Sequence, residues 1–375
     1  MQNTARTASL QRRLGGVRAL LREHDLDALV INHSLNRRYL SGIPAADPQP
    51  GETPGWLIIS QDLAIGLITS SNYGEATQQA PHFDVRSLPA PIYPIIGENA
   101  GRLIAGETWR RIGFEGDAMT FNWYRDLSGA LGPNQELIST RGLVEQVRGV
   151  KDDYELESMR EAARISAASF NEVVGQVGPG ITELELSWAI ERTAREMGAE
   201  GMAFETIVAA GAGAAIPHHE TSPDRKIEAN ECVLIDMGAS VDGYAADMTR
   251  TFCYGRASDR LRDIHQLMEV TLAATVSRIR AGVRGEYVCS GWQEALRDTP
   301  YHDPEKKGGG HGIGLAVHET PNLRPTDMQL FAGMVFAIEP AVYIPDWGGV
   351  RLEDTVLVRP EEGERLTPAT FQLEF

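Results

Sequence analysis

Two stretches decide how this chain is read: ECVLIDMG (231–238) followed by YAADMTRTF (244–252), and MVFAIEPAVYI (334–344) followed by GVRLEDTVLV (349–358). Each is a pair of strand-like runs rich in β-branched and aromatic residues. In the first pair Asp242 and Gly243 stand in the short connection, the residue types of a tight turn, so an antiparallel hairpin is expected. Acids punctuate all four runs. Asp236 ends the first, Asp247 interrupts the second, and Glu339 and Glu353 sit the same way on the later two.

Upstream of each pair lie two helices. Asp152 or Asp153 can cap a long amphipathic helix with Leu156, Met159, Ala163, Phe170 and Val173 on one side, stopping at GPG (178–180). Thr182 with Glu185 forms a capping box for the next, which ends at Gly198. After the first strand pair a helix from about Ser258 to Ala281 shows Ile264, Leu267, Met268, Leu272, Val276 and Ile279, and another starts near Glu286. The glycine-rich GGGHGIG (308–314) then leads into the second strand pair. The C-terminal part therefore reads as helix, helix, strand, strand, twice over. No residue-level repeat accompanies this, so the duplication rests on element order.

The pattern before Gly149 differs, and a boundary there divides the chain into 1–149 and 150–375. A length of 375 residues suits two domains. The first reads as alternating α/β. Leu10, Leu14, Val17, Leu20 and Leu21 line one helical face, DALVIN (27–32), WLIIS (56–60) and LAIGLITS (63–70) are strand-like, and RRIGFEG (110–116) leads into a helix near Phe121 to Leu131. The Pro- and Gly-rich stretch 43–56 is expected to be a loop.

A net charge of -17, from 52 acidic against 35 basic residues, disfavours nucleic acid and anionic membranes and points to a small substrate. Cys232, Cys253 and Cys289 are widely spaced and odd in number, which fits a reducing compartment. The N-terminus lacks a signal-peptide core, and no run approaches about 18 apolar residues. A cytoplasmic location without membrane attachment is expected.

Carboxylates on apolar strands are unusual. Singly, Asp236 or Asp247 could close a turn, and Glu339 or Glu353 could be a strand-edge charge. Converging, the four would repel one another and take up protons unless cations were present. Two divalent ions balance four carboxylates. His311, in GGGHGIG, adds a nitrogen donor where glycines permit a tight turn. Such a hard, mixed set suits Mn²⁺, Co²⁺, Fe²⁺ or Zn²⁺.

The ordered array IDMGASVDGYAADMTRTF (235–252), GHGIGLAVHE (310–319), AIEPAVYI (337–344) and VRLEDTVLV (350–358) resembles the pita-bread metallopeptidases, in particular the proline-specific branch of aminopeptidase P and prolidase. The likeness runs from about Lys151 to the C-terminus. LDALVIN and NRRYLSG resemble the family's N-terminal domain more loosely. The resemblance implies an α/β domain followed by an α+β pita-bread catalytic domain with a pseudo-twofold repeat. It implies that Asp236 binds one metal, Asp247 and Glu353 bridge both, and His311 and Glu339 bind the other. Mn²⁺ or Co²⁺ is expected first, with Zn²⁺ or Fe²⁺ next. The implied reaction is hydrolysis of the amide bond before proline in dipeptides or peptides by a metal-bridging hydroxide. Glu339 would carry the proton to the leaving nitrogen, and His218 and His318 would stand beside the substrate carbonyl. A homodimer acting on small peptides is expected.

Arg351, two residues before Glu353, is expected to form an ion pair with a metal-binding carboxylate, and His219 to be solvated or structural. One position departs from the family pattern. Where the proline-specific branch often has a histidine four residues before the metal-binding one, this chain has Lys307, which would favour dipeptides if it faced the cleft and paired with their carboxylate. Two alternatives remain: a small-molecule amidohydrolase or lyase of the ectoine hydrolase kind, and a non-catalytic binding module on the same fold.

Overall fold

The structure, a computed structural model, describes residues 2–44, 47, 49, 51–303 and 308–375, with backbone only for 2–5. The chain divides into two compact units, Met1–Arg148 and Gly149–Phe375.

The first unit is built on a mixed sheet of β1 (Ala28–Ile31), β2 (Gly55–Ser60), β3 (Ala64–Thr69), β4 (Asp84–Leu88), β5 (Arg111–Glu115) and β6 (Glu136–Thr140). Their order is β4-β3-β2-β1-β5-β6, with β1–β2 and β2–β3 antiparallel and the remaining pairs parallel. Every residue of β1, β2 and β3 is buried. Strands covered on both faces read as unbroken apolar runs, which is why these three are plain in the sequence. The outer strands β4 and β6 are half-exposed and polar, so they give no such signal. Helices α1 (Gln2–Glu23), α2 (Ser34–Ser41), α3 (Tyr73–Gln79), α4 (Ile96–Ala105), α5 (Phe121–Gly129) and α6 (Leu143–Arg148) complete the unit. Leu10, Leu14, Val17 and Leu21 of α1 are buried, and Trp56 meets Trp123 edge-on at 5.4 Å. α5 ends at Gly129, short of the expected Leu131. The stretch 43–56 gives way to β2 at Gly55, and its residues Ala45, Ala46, Pro48 and Pro50 lie outside the described residues.

In the second unit α7 (Asp153–Gln176) and α8 (Glu183–Glu196) both start at capping boxes, Asp152 with Glu155 and Thr182 with Glu185. Each box satisfies two backbone N–H groups that the first helical turn leaves unpaired. Next come β7 (Gly201–Met202), β8 (Ile207–Ala210), β9 (Val233–Met237), β10 (Ala239–Val241), β11 (Tyr244–Ala245) and β12 (Met248–Phe252). The order then recurs: α9 (Asp259–Val276), α10 (Gly285–Leu296), β13 (Gly310–Gly312), β14 (Glu319–Leu323), β15 (Val335–Ile338), β16 (Ala341–Ile344), β17 (Gly348–Arg351), β18 (Asp354–Val358) and β19 (Gly363–Arg365). α9 stops at Val276, before the expected Ala281. The N–H of Ile279 tightens onto Val276 O, and that of Ala281 leaves the helix to bond Arg359 O.

Both strand pairs are antiparallel ribbons broken in the middle. β9 pairs with β12 from Val233↔Phe252 to Met237↔Met248, then the ribbon bends and continues as β10–β11 through Asp242 and Gly243, both at positive φ. The bend needs glycine at 238, where a Cβ would lie 1.8 Å from Ala246 O. In the second ribbon β15 pairs with β18 from Val335↔Leu357 to Ile338↔Asp354, and β16 pairs with β17 beyond a break at Glu339–Pro340 and Leu352–Glu353. With β8 beside β9 and β13 beside β15, the two halves present matching antiparallel triples, β8-β9-β12 and β13-β15-β18. This is the expected α+β pita-bread arrangement.

Lys151, just before α7, is buried against Glu319 at the start of β14, with Nζ 2.8 Å from Oε1 and both side chains almost fully enclosed. Removing one partner of such a pair strands a charge in the core. Lys151→Met should lower stability in urea unfolding by about 3–5 kcal/mol, and Lys151→Met with Glu319→Leu should recover most of it. Equal losses in the single and double variants would show that the pair's charge is not what matters there.

Candidate metal centre

Three acids of the array stand at the ribbon breaks, and Asp236, still paired with Thr249, stands one residue short of one. Asp236 is the penultimate residue of β9, Asp247 directly precedes β12, Glu339 directly follows β15, and Glu353 directly precedes β18. At a break the backbone leaves the ladder, and each carboxylate can turn out of the sheet plane toward one place. His311, in the middle of β13, completes the group. Its Nε2 lies 3.6 Å from Asp247 Oδ2, 3.8 Å from Glu339 Oε1 and 4.0 Å from Glu353 Oε1. Donor atoms of Asp247, His311 and Glu353 all fall within 4.8 Å of one another.

Two threonines hold the acids across the seam between the halves. Thr355 Oγ1 accepts the Asp247 N–H at 3.1 Å and donates to Asp247 O at 2.8 Å. In the reverse sense, Thr249 O accepts the Glu353 N–H at 3.0 Å, and Thr249 Oγ1 donates to Glu353 Oε2 at 2.6 Å. Each threonine lies two residues after one acid and anchors the other. Arg351 supplies positive charge: Nη2 pairs with Asp236 Oδ2 at 2.5 Å, Nε donates to Thr249 Oγ1 at 2.9 Å, and Nη1 donates to Tyr343 Oη at 2.6 Å. The ion pair expected of Arg351 is therefore present.

Burial pushes the Asp247 and Glu353 carboxyls well above the ordinary range, and the neighbouring acids push them further. Burial also raises Asp236 and Glu339, against the pull of Arg351. Burial lowers His311 to about 4, with His318 adding to the effect. A neutral imidazole is the form that ligates metal. Nδ1 sits 3.3 Å from Gly312 O, an arrangement that assigns the ring proton to Nδ1 and leaves the Nε2 lone pair facing the carboxylates. Asp236 Oδ1 and Asp247 Oδ1 are buried with no hydrogen-bond partner among the described residues. So many inward acceptors, with so few donors, are satisfied by cations or by protons. The residues present fit divalent ions.

The group opens onto a cavity of ≈ 790 Å³ whose lining includes Phe204, Ile207, Pro217, Trp292, Val317 and Tyr343 together with His218 and His318. His318 is exposed and its ring meets that of His311 edge-on at 4.4 Å. His218 is exposed as well. His219 takes the structural one of its two expected roles: its side chain is only 17% exposed, and Nε2 lies 2.9 Å from the fully buried Glu183. A capping signal marks where α8 starts, but nothing local reveals that its first acid reaches another loop. Lys307 lies outside the described residues.

The model of metallopeptidase family M24 matches residues 157–360, and that of the creatinase/prolidase N-terminal domain matches 13–150. The Bacillus subtilis peptidase YqhT is 31% identical over 355 residues, covering 94% of this chain and 96% of that protein. A Xaa-Pro dipeptidase of Pyrococcus furiosus is 29% identical over 368 residues, covering 97% and 100%. Among solved structures, a Xaa-Pro dipeptidase from Bacillus anthracis superposes with a TM-score of 0.88 at 30% identity, over 98% of this chain and 100% of that one. An X-Pro aminopeptidase from Thermotoga maritima gives 0.82 at 29%, over 94% and 98%.

A carboxyl whose pKa is raised by folding binds a proton that the unfolded chain has already released. Chelator-stripped protein should therefore lose stability as pH climbs from the ordinary carboxylate range, near about 4, toward neutrality. Asp247→Asn, which removes one of the crowded charges, should raise the melting temperature of stripped protein at neutral pH by about 2–4 °C. The same change should abolish the rise that added Mn²⁺ produces in the parent. Thermal scans with and without chelator read both, and an unaltered Mn²⁺ response would remove Asp247 from the ligand set.

Proposed function

The chain belongs to metallopeptidase family M24, and from that membership we propose that it hydrolyses the amide bond preceding proline in Xaa-Pro dipeptides or short Xaa-Pro peptides. The observation that carries this reading is the crowd of Asp236, Asp247, His311, Glu339 and Glu353 at the floor of the cleft. The proposed donor set holds two divalent ions, with Mn²⁺ or Co²⁺ favoured by its oxygen-rich, single-nitrogen character. Such ions, when bound, polarise a carbonyl and bring water to hydroxide near neutral pH. The names of the Pyrococcus and Bacillus anthracis relatives supply the proline preference. A homodimer and a cytoplasmic setting belong to the same proposal. No helix among the described residues is long and apolar enough to cross a membrane.

The acids differ in how far they reach solvent. The Glu339 side chain is 39% exposed, against 6% for Asp247 and 2% for Glu353. A group that exchanges protons with water and a leaving nitrogen needs such access, and this supports Glu339 as the proton carrier. His218 and His318, both exposed in the cleft, are assigned to the substrate carbonyl, as donors to its oxygen. The apolar wall of Phe204, Ile207, Trp292 and Val317 suits a ring that has no N–H to pair.

Release of the N-terminal residue from Gly-Pro, Ala-Pro and Ala-Pro-peptides by Mn²⁺-loaded protein tests the reading directly. Turnover confined to cyclic or N-acylated amides would replace it with the small-molecule alternative. Glu339→Gln keeps the shape and one oxygen donor while removing the titratable group. It should lower kcat by roughly 100-fold or more while the protein still binds part of its metal. Unchanged kcat would move the proton to another group.

A further inference from the structure

Segment 211–221 carries His218 to the cleft, and a single buried carboxylate grips it at three points. Glu183, the first residue of α8, is fully buried. Its Oε1 accepts the N–H of Ala210, the last residue of β8, at 2.8 Å. Its Oε2 accepts the N–H of Ser222 at 2.9 Å and meets His219 Nε2 at 2.9 Å. The entrance, the exit and the neighbour of His218 are thus tied to one side chain. The negative charge sits in the first turn of α8, where the helix dipole favours it. Packing agrees with the bonding: a Cβ at Gly213 would lie 3.0 Å from His219 Cε1, so the ring rests against the turn Gly211–Ala215.

On the other side of His218, Pro217 O accepts from Arg351 Nη1 at 3.3 Å, and Arg351 is the residue that pairs with Asp236. His218 is therefore held between two tethered neighbours while its own ring makes no hydrogen bond to any described residue. A side chain left without partners at the tip of a loop is useful to catalysis only if the loop gives it one position, because misplacement by about 1 Å can cost 100-fold. We propose that Glu183 and His219 are positioning residues for His218: the buried carboxylate, bonded to His219 and to both ends of the loop, fixes the place from which His218 meets the substrate. This rests on the role assigned to His218 above.

A loop that merely needed to fold would lose stability when the clamp is cut, whatever His218 does. A positioning clamp has a different signature, because its effect on turnover passes through His218. The experiment is a double-mutant cycle of His219→Ala and His218→Ala, read as kcat on an Ala-Pro substrate at matched metal content. Hydrogen exchange of segment 211–222 is read beside it in metal-free protein. His219→Ala should lower kcat by about tenfold in the parent and by less than about twofold in the His218→Ala background, and His219→Gln, which restores a nitrogen donor, should recover most of it. Exchange in 211–222 should be faster in both His219→Ala and Glu183→Gln.

An equal fold-loss in both backgrounds would overturn the proposal, and so would unchanged exchange in His219→Ala. Should the parent prove inactive on Xaa-Pro substrates, the proposed function fails while the exchange comparison still decides the clamp: faster exchange upholds it, and unchanged exchange removes it.

Discussion

Mutual repulsion of four carboxylates crowded at the floor of one cleft is the constraint around which the catalytic unit is built. Burial alone raises a carboxyl pKa, and each neighbouring acid raises it further, so the group is costly in any state without cations. A frame that relaxed freely would let the acids swing out to solvent. The seam prevents this with bonds to the backbone of the acids and not only to their side chains. Thr355 fixes both the N–H and the carbonyl of Asp247, Thr249 fixes the N–H of Glu353, and the buried Arg250 donates to Glu353 O at 2.6 Å. The backbone from which Asp247 and Glu353 project is thereby fixed. Strain of this kind is held by surrounding structure and put to use in the site.

The same bonds expose the internal symmetry that residue comparison does not. Asp247 is followed two positions on by Thr249, and Glu353 two positions on by Thr355, and each threonine serves the opposite half. In sequence this is a spacing of one acid and one threonine, too short to stand out against chance. In space it is reciprocal, because the two broken ribbons lie side by side and each closes the gap in the other's ladder. The element order helix, helix, strand, strand gave the duplication, and the threonines explain why neither half could hold its acids alone.

What was legible in the sequence was what local physics determines. Continuous apolar runs marked β1, β2 and β3, capping boxes marked the starts of α7 and α8, and Asp242–Gly243 marked a turn that requires positive φ. The four acids of the candidate site stood out because charge is rare on such strands, and the imidazole because it sits in a glycine-rich turn. What escaped depended on partners far along the chain. Glu183 looks like one more acid in a first helical turn, and only the return of segment 211–222 beside it reveals a clamp. His219 could be read as solvated or structural, and only the same return decides between the two. The bend at Gly238 escaped because the atom that forbids a side chain there, Ala246 O, belongs to the paired strand.

Within the crowd, access to solvent divides the labour more sharply than chemistry does. Asp247 and Glu353 are carboxylates like Glu339, but their side chains are only 6% and 2% exposed, and both residues are bonded across the threonine seam. Glu339 stands after a strand has ended, and Pro340 behind it cannot donate to a ladder, so the chain turns and the carboxylate reaches the cleft. His218 and His318 arrive from segments of different halves, one before β9 and one before β14, and the His218 loop shares Arg351 with Asp236 through Pro217 O. In a metal-dependent site, ligands and substrate-facing donors answer opposite demands. Metal affinity needs acids that do not move, whereas the groups facing the substrate must stay exposed, and exposure deprives them of the buried bonds that would place them. A second, buried set of contacts behind the loop, such as the one Glu183 makes, is how an exposed histidine can be both open to substrate and confined to one position.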